Sequence, residues 1–232
     1  MDQRLQTVYS GQGAAGSLSA QRNRVLRNTY WLLALSLVPT VLGAWVGVST
    51  GIVAAMGNGM AAIVFLVGAF GLMFAIEKTK DSAAGVGVLL AFTFFMGLML
   101  SRLLAMVLGF SNGAQLVMLA FGGTAGVFLA VASLATVIKR DLSNMGKFLF
   151  VGVILLLVAG LVNLFVQSSA LMMTLSVIAI GLFSAFMLYD IKRVIDGGET
   201  NYITATLAIY LDLYNIFQNL LALLGIFGGD RE

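Results

Sequence analysis

The sequence predicts an all-α membrane protein, a bundle of seven transmembrane helices whose C-terminal helix is central and carries a polar stripe. Of the 232 residues, 60% are hydrophobic and only 10% are charged. The apolar stretches are each about the 20 residues that a helix needs to cross a bilayer. One compact bundle is expected, because the connections between the stretches are too short to fold separately.

The chain divides into a polar N-terminal segment and an apolar remainder. Residues 1–28 are rich in Gly, Ser and Gln, and they are predicted to form a flexible cytoplasmic tail. Residues 29–229 are predicted to form a single transmembrane helical bundle. Its seven spans are predicted at 29–48, 57–76, 83–108, 114–138, 147–166, 171–191 and 204–227.

Lys and Arg alternate along the chain in a way that predicts its orientation. Eleven of the 13 cations lie in the tail and in the loops after the second, fourth and sixth spans, and the other loops have none. This asymmetry predicts an integral membrane protein with its N-terminus in the cytoplasm. The cations form short clusters beside the membrane, so the lipid bilayer is the expected partner and nucleic acid is not.

Small residues predict where helices approach each other closely. Gly68 and Gly71 lie in the second span, and Gly122, Gly126 and Ala130 form a series with four-residue spacing in the fourth. Such a series lets two backbones pack together. We therefore predict helix-packing seams at both places.

The absence of Cys and His narrows the chemistry. It excludes disulfides, thiolate nucleophiles, Ser-His or Cys-His catalysis, and zinc sites built from thiolate or imidazole. Carboxylates remain, and two of them, Asp190 and Asp212, lie inside apolar sequence. Ionisable groups at such positions are costly and usually face a protein interior or a water path, which makes them functional candidates.

Asp212 belongs to a stripe on the seventh span. Asp212, Asn215 and Asn219 occur at i, i+3 and i+7 and therefore share one helix face. A polar face in a membrane is expected to pack against other helices, which places the seventh span at the centre of the bundle. Asp190 ends the sixth span at a similar depth, so the two carboxyl groups are expected to meet.

A meeting of two carboxylates predicts a pH sensor. Repulsion opposes ionisation of both, so the pair is expected to share one proton. Protonated, Asp190 and Asp212 would hold the last two spans together; deprotonated, they would separate or bind a hard cation such as Ca²⁺. Phe183 and Phe186, two turns and one turn before Asp190 respectively, are candidates for an apolar constriction. The alternative is static pairing of Asp190 with Lys192, Arg193 or Lys78.

Six short motifs support a family resemblance. They are Ala120-Phe121-Gly122-Gly123-Thr124, Lys139-Arg140-Asp141-Leu142-Ser143, Tyr189-Asp190, Tyr210-Leu211-Asp212-Leu213-Tyr214-Asn215, Gly71-Leu72-Met73-Phe74 and Gly197-Gly198-Glu199-Thr200-Asn201-Tyr202. With the seven-span layout, their order and spacing resemble the Bax inhibitor-1 family over nearly the whole chain, and the last two resemble its bacterial branch.

The resemblance implies a multi-pass protein with a pH-dependent Ca²⁺ or cation leak, whose paired-aspartate sensor falls on Asp190 and Asp212. Some members carry an Arg near the cytoplasmic end of the second span that engages the aspartate. This chain has Glu77-Lys78 there, so Lys78 is the candidate salt-bridge partner. No cofactor is implied beyond Ca²⁺ as a permeant or bound ion.

Two other functions compete with the leak. The bacterial branch also implies a non-conducting modulator of the membrane protease FtsH, with the tail and the loop around Gly197 as contact surfaces. An intramembrane aspartyl protease would also place two aspartates on neighbouring spans. However, Asp212 follows Ile209-Tyr210-Leu211 rather than a Gly-x-Gly sequence, and a motif without its context is weak evidence. We therefore expect that the chain is not an enzyme.

Overall fold

The computed structural model describes the backbone of residues 3–228 and the side chains of residues 20–57, 59–163 and 165–228. Within this range the chain forms eight helices and no strand. They are α1 Gln3–Thr50, α2 Ile52–Ala55, α3 Gly57–Thr79, α4 Ala83–Leu108, α5 Gly113–Val137, α6 Met145–Val166, α7 Ser169–Asp196 and α8 Tyr202–Gly228. Residues 1, 2 and 229 of the predicted tail and bundle lie outside the described residues.

Seven of these helices are long and apolar enough to cross a membrane. They are α1 and α3 to α8, and they match the seven spans that the sequence predicts. The short α2 adds one turn between the first two spans. The surface supports the membrane assignment, because large apolar side chains such as Trp31, Phe148 and Phe165 point outward. The prediction of an all-α membrane bundle is confirmed.

The first helix differs from the prediction at its N-terminal end. The sequence starts the first span at residue 29, whereas α1 is helical from Gln3 and its candidate span begins at Ala20. Residues 3–28 contain no Pro and several good helix formers, so a helix nucleated in the span can continue through them. The segment is therefore helical where it is described, while its cytoplasmic location stays a prediction.

Helices α1, α4 and α8 run parallel and form the centre of the bundle. The contact between α1 and α4 depends on glycine: a Cβ on Gly97 would lie 2.0 Å from the carbonyl oxygen of Thr40, and one on Gly43 would lie 2.0 Å from that of Phe94. No other residue leaves room for such an approach without a shift of backbone. Helix α8 packs against every other described helix except α2 and α6. The predicted central position of the last span is thus confirmed.

Helix α8 reaches from one end of the bundle to the other. At its start, Asn201 Nδ2 donates to the carbonyl oxygen of Lys80, in the loop before α4. At its end, the carbonyl oxygen of Gly228 accepts a hydrogen bond from Asn112, in the loop after α4. Helix α8 therefore extends as far as α4, and both are long and apolar enough to cross a membrane, which favours a crossing helix over a re-entrant one.

One predicted packing seam is found in part and the other is wrong. A Cβ on Gly68 would lie 2.4 Å from the ring of Phe95, so α3 and α4 meet there, whereas a Cβ on Gly71 would meet no atom within 4 Å. In α5, Gly122 and Gly126 also have no atom within 4 Å of a Cβ, and Ala130 is exposed. These three residues of α5 therefore face away from the bundle, because four-residue spacing defines a helix face without specifying what covers it.

Candidate functional site

Asp190 and Asp212 are positioned by the tight turn between α7 and α8. Gly197 closes α7 with a φ of 81°, a left-handed conformation that favours glycine. Asn201 then caps α8, its Oδ1 accepting hydrogen bonds from the backbone N–H groups of Ile203 and Thr204. Because the two helices run back from one short turn, residues well inside each of them lie side by side.

The two carboxyl groups meet as the sequence predicts. They lie within hydrogen-bonding reach of each other, between α7 and α8. Asp212 is only 3% exposed, and its Oδ2 is buried with no hydrogen-bond partner among the described residues. A buried acceptor of this kind is costly unless a proton or a cation satisfies it. Two carboxylates so close oppose double ionisation, and one shared proton would supply the missing hydrogen bond.

The nearby cations have other partners. Lys192 Nζ lies 2.5 Å from Asp196 Oδ1, and Arg193 Nη2 lies 3.4 Å from Glu199 Oε2. Within the part of the chain with described side chains, neither Asp190 nor Asp212 forms an ion pair. Static pairing of Asp190 with Lys192 or Arg193 is therefore not what the structure contains.

Lys78 does not reach the carboxylates either. Its Nζ lies over the ring of Phe74, 5.3 Å from the ring centroid, on the exposed side of α3. This cation–π contact lies within one helix, since the two residues are four positions apart. Lys78, the candidate salt-bridge partner by sequence, is thus not brought together with Asp190 or Asp212.

Phe183 and Phe186 lie together on α7, two turns and one turn before Asp190 respectively. Their ring centroids are 6.3 Å apart, with the rings tilted by 31°. Both side chains are half-buried, and Phe183 packs against the main hydrophobic core. The rings therefore supply an apolar neighbourhood on the membrane side of Asp190, which limits the access of water to the carboxyl group.

The predicted polar stripe on α8 exists, but its amides bond within their own helix. Asn215 Nδ2 donates to the carbonyl oxygen of Leu211, and Asn219 Nδ2 donates to that of Asn215, both at 2.8 Å. These bonds satisfy the amide donors without a partner from another helix. The stripe thus lies beside the carboxyl pair as half-buried polar surface, and it does not hold the pair in place.

Sequence reasoning missed the residues that attach α8 to α1 and α4. The hydroxyls of Tyr210 and Thr40 lie 2.9 Å apart, and that of Tyr210 also lies 3.4 Å from the carbonyl oxygen of Thr93. The hydroxyl of Tyr214 donates to the carbonyl oxygen of Met96. Tyr210 and Tyr214 are four residues apart, a spacing that places both on one face, opposite Asp212.

The fit of the pair to a metal ion is partial. Ca²⁺ takes six to eight oxygen ligands. The described residues contain no group of three or more His, Cys, Asp or Glu side chains. Asp190 and Asp212 could therefore supply only part of a coordination shell, with the unpartnered Oδ2 of Asp212 as one ligand. This suits an ion in transit better than one held permanently.

Comparisons with known proteins agree with the membrane assignment. The profile of the family described as inhibitor of apoptosis-promoting Bax1 matches residues 22–229. The chain is 36% identical over 208 residues to the protein named modulator of FtsH protease YccA of Escherichia coli, covering 90% of this chain and 92% of the relative.

Two further relatives come from other bacteria. An uncharacterised protein of Pseudomonas aeruginosa is 40% identical over 206 residues, covering 89% of this chain and 90% of that protein. An uncharacterised membrane protein of Vibrio cholerae is 36% identical over 207 residues, covering 89% of this chain and 91% of that protein. With its profile matched along almost the full length of a seven-helix membrane bundle, the chain belongs to the Bax inhibitor-1 family.

Proposed function

We propose that the protein is a modulator of a membrane protease of the FtsH type, acting by binding and without conducting ions. The observation that carries this proposal is the 36% identity, over 90% of the chain, to a relative named for that role. The family profile matches residues 22–229, so Arg22, the turn around Gly197 and the bundle lie in the matched part of the chain.

The proposed contact surface lies at the end of the bundle where α1 begins. There the side chain of Arg22 lies against Gly197, since a Cβ on this glycine would be 2.6 Å from the Nε of Arg22. The described part of α1 is therefore in contact with the turn between α7 and α8 at Arg22. Both were candidates from the sequence, and their contact lets a partner engage them together.

The test is protease turnover in proteoliposomes. FtsH and a membrane-bound substrate are reconstituted with the full chain or with a variant lacking residues 2–19. This deletion ends before Val25, which is buried against Val194 and Ala205, so it spares the described packing. Slower substrate loss with the full chain and restored loss with the deletion are expected. A matched control replaces Ala130, on the exposed face of α5, with Leu; an equal loss of inhibition in both variants would contradict the proposed surface.

A second function, a pH-gated cation leak, is favoured by the buried pair. Asp190 and Asp212 meet between α7 and α8, and one oxygen lacks a partner. With a shared proton the two helices are joined by a hydrogen bond, and without it the carboxylates repel or take up a cation. Ca²⁺ would then be the transported ion, and the helix contact would be the gate.

Cation flux into proteoliposomes at about pH 6 and pH 8 tests the gate, because this range brackets the protonation of two adjacent carboxyl groups. We expect flux in the wild type to change with pH, and we expect Asp190→Asn and Asp212→Asn to lose this change. Asp141→Asn is the matched control, since Asp141 is an exposed acid outside the pair. Identical, pH-independent flux in all four proteins would exclude the gate and leave the modulator.

We further propose that the protein is not an enzyme. Two neighbouring aspartates also occur in intramembrane aspartyl proteases, but here Asp212 follows Ile209-Tyr210-Leu211 instead of Gly-x-Gly. Incubation of the purified protein with labelled transmembrane peptides is expected to give no cleavage. Cleavage that disappears in Asp190→Asn and in Asp212→Asn would overturn this proposal.

The proposed location is the bacterial inner membrane with the N-terminus in the cytoplasm. Eleven of the 13 cations lie on the side where α1, α4 and α8 begin. Because the chain contains no Cys, single cysteines report the topology directly. A membrane-impermeant thiol reagent added to intact spheroplasts is expected to label Ser49→Cys and to leave Lys139→Cys unlabelled; the reverse pattern would invert the topology.

A further inference from the structure

A cavity lies between the start of α1's membrane span and the start of α8. Its volume is about 590 Å³, and its lining includes Gln21, Arg24 and Asn28 from α1 and Thr200 and Tyr202 from the other side. It is separate from the Asp190–Asp212 pair, since neither aspartate lines it. Nothing in the modulator or leak proposals uses it.

The polar groups on α1 converge because of helix periodicity. Gln21, Arg24 and Asn28 stand at i, i+3 and i+7 and therefore share one face. None of their side chains forms a hydrogen bond or an ion pair with a residue that the structure describes. A guanidinium and two amides on one wall thus keep their donors available to a ligand.

The charge of the lining is positive. Among the residues whose side chains the structure describes, Arg24 is the charged residue in the lining and no acidic side chain lines the cavity. The nearest acid in the sequence is Glu199. Its Oε1 accepts from the backbone N–H groups of Thr200 and Asn201, and its Oε2 faces Arg193. With its acid turned to the loop, the cavity favours an anion that has several acceptor oxygens.

The cavity lies at the membrane boundary. Two candidate spans, Ala20–Thr50 and Tyr202–Gly228, begin at residues of its lining. Val25 and Tyr202, which also line it, pack with the buried Val194 and Ala205. A ligand would therefore contact polar and apolar residues together at the start of two spans, as a phospholipid headgroup does.

We propose that this cavity binds an anionic phosphate group, carried by the headgroup of an acidic lipid or by a soluble phosphate ester. Arg24 supplies charge-assisted hydrogen bonds to the phosphate oxygens, while Gln21 and Asn28 bind the remaining acceptors. An occupied cavity would link the start of α1 to the turn between α7 and α8, and it would do so whether the protein is a modulator or a channel.

Lipid retention tests the proposal. The purified full-length protein is equilibrated in nanodiscs of equal phosphatidylglycerol and phosphatidylcholine, and the lipids that remain bound after extraction are quantified by mass spectrometry. Enrichment of phosphatidylglycerol is expected. Because a hydrogen bond to a charged group is involved, Arg24→Gln should reduce the enrichment by about tenfold. Asn28→Asp, which puts a carboxylate into the cavity, should reduce it at least as much.

Arg27→Gln is the matched control. It removes the same charge from the same helix, and Arg27 is exposed, as Arg24 is, but it does not line the cavity. A change of less than about twofold is expected, because the Arg27 guanidinium acts on the lipid only through diffuse attraction, which salt screens. All variants are first checked to unfold at the wild-type temperature. If Arg24→Gln and Arg27→Gln then reduced the enrichment of phosphatidylglycerol equally, the enrichment would come from general surface charge, and the proposal would be overturned.

Calorimetry with inorganic phosphate separates the two sources of the ligand. Enrichment of phosphatidylglycerol without phosphate binding identifies the lipid headgroup, and Arg24-dependent phosphate binding without lipid enrichment identifies a soluble phosphate ester. The absence of both would show that the cavity binds no phosphate group, and the proposal would be wrong.

Discussion

The two faces of α8 both bury polar groups, but they differ in how those groups are hydrogen-bonded. On one face Tyr210 and Tyr214 place neutral hydroxyls against Thr40 and against carbonyl oxygens of α4. On the other face Asp212 meets a second acid from α7 and keeps one oxygen without a partner. The first arrangement is complete as it stands, whereas the second needs a proton or a cation.

This difference indicates which contacts are fixed and which can change. Hydroxyl-to-carbonyl bonds do not depend on pH in the physiological range, because neither group titrates there. The contact between Asp190 and Asp212 alters with every change of protonation. Helix α8 is therefore anchored to α1 and α4, and any rearrangement linked to protons or cations is expected at its contact with α7.

The largest effect is expected from disrupting the fixed side of the bundle, by which we mean the contacts among α1, α4 and α8. In Gly97→Ala, the new Cβ would lie 2.0 Å from the carbonyl oxygen of Thr40. Backbone must move to relieve this contact, so α1 and α4 separate and the free energy of unfolding falls by about 1–3 kcal/mol or more. Thermal unfolding of the purified protein in detergent, followed by circular dichroism, measures the loss.

Gly126→Ala is the control for that substitution. A Cβ at Gly126 meets no atom within 4 Å, and Ala favours a helix over Gly by about 0.8–1.0 kcal/mol. Its stability should therefore equal or exceed that of the wild type. Equal destabilisation by both substitutions would show that the close contact of α1 with α4 does not anchor the centre.

The next effect removes a single bond from the fixed side. Tyr210→Phe deletes the hydroxyl that bonds Thr40 and approaches Thr93. A hydrogen bond between membrane helices contributes about 0.6 kcal/mol on average and at most about 1.7, so a loss of about 1 kcal/mol is expected, with no effect on the pH dependence of flux. Chemical denaturation in mixed micelles measures it.

Tyr30→Phe serves as the matched control for Tyr210→Phe. The Tyr30 ring packs edge-on against Phe128 with centroids 5.9 Å apart, and its hydroxyl has no hydrogen bond to a described residue. Its removal should be nearly neutral. A pH-dependent change of flux in Tyr210→Phe would mean that the two faces of α8 are not independent.

The third substitution is expected to raise stability rather than lower it. It lies on the changeable side of the bundle, by which we mean the contact of Asp190 with Asp212 between α7 and α8. In Asp212→Asn, the amide can donate to Asp190 where two carboxylates opposed each other. We expect the bundle to gain up to about 1 kcal/mol at pH 8, the size of one hydrogen bond. Asp196→Asn, which strips the 8%-exposed Lys192 of its 2.5 Å partner, should instead lose stability. If both variants lost stability, the two carboxyl groups of Asp190 and Asp212 would not oppose each other, and the prediction for Asp212→Asn would be wrong.

The changeable side was largely predictable from the sequence, and the fixed side was not. Aspartates stand out in apolar spans because burial of a carboxyl group is costly, and the short turn after α7 brings Asp190 and Asp212 to similar depths. Tyr210 and Thr40 do not stand out, since both residue types are common in membrane helices and their contact joins segments 170 residues apart.

The wrong or incomplete predictions have a common physical cause. Gly122 and Gly126 were expected at a seam, and Lys78 was expected at the carboxyl pair, from residue type and position along one helix. Which neighbour covers a helix face depends on the packing of the whole bundle, and a long side chain such as that of Lys78 takes the nearest partner, here Phe74. Sequence periodicity identifies the face and leaves its occupant undetermined.

The smallest effect is expected at Asp141, whose carboxylate is hydrogen-bonded within its own loop. The backbone N–H of Ser143 donates to Asp141 Oδ1 at 2.8 Å, and this bond holds the pKa of the Asp141 carboxyl below its usual range. A lowered pKa in the folded state means that the stabilising bond is present at neutral pH and is lost only as the pH falls through that lowered value. Nuclear magnetic resonance of the Ser143 amide should therefore show no change between pH 8 and pH 6 and a shift only on further acidification, absent in Asp141→Asn. A shift between pH 8 and pH 6 would show that acids outside the Asp190–Asp212 pair also respond in the range proposed for the gate, and Asp141→Asn would then no longer be a neutral control for the flux experiment.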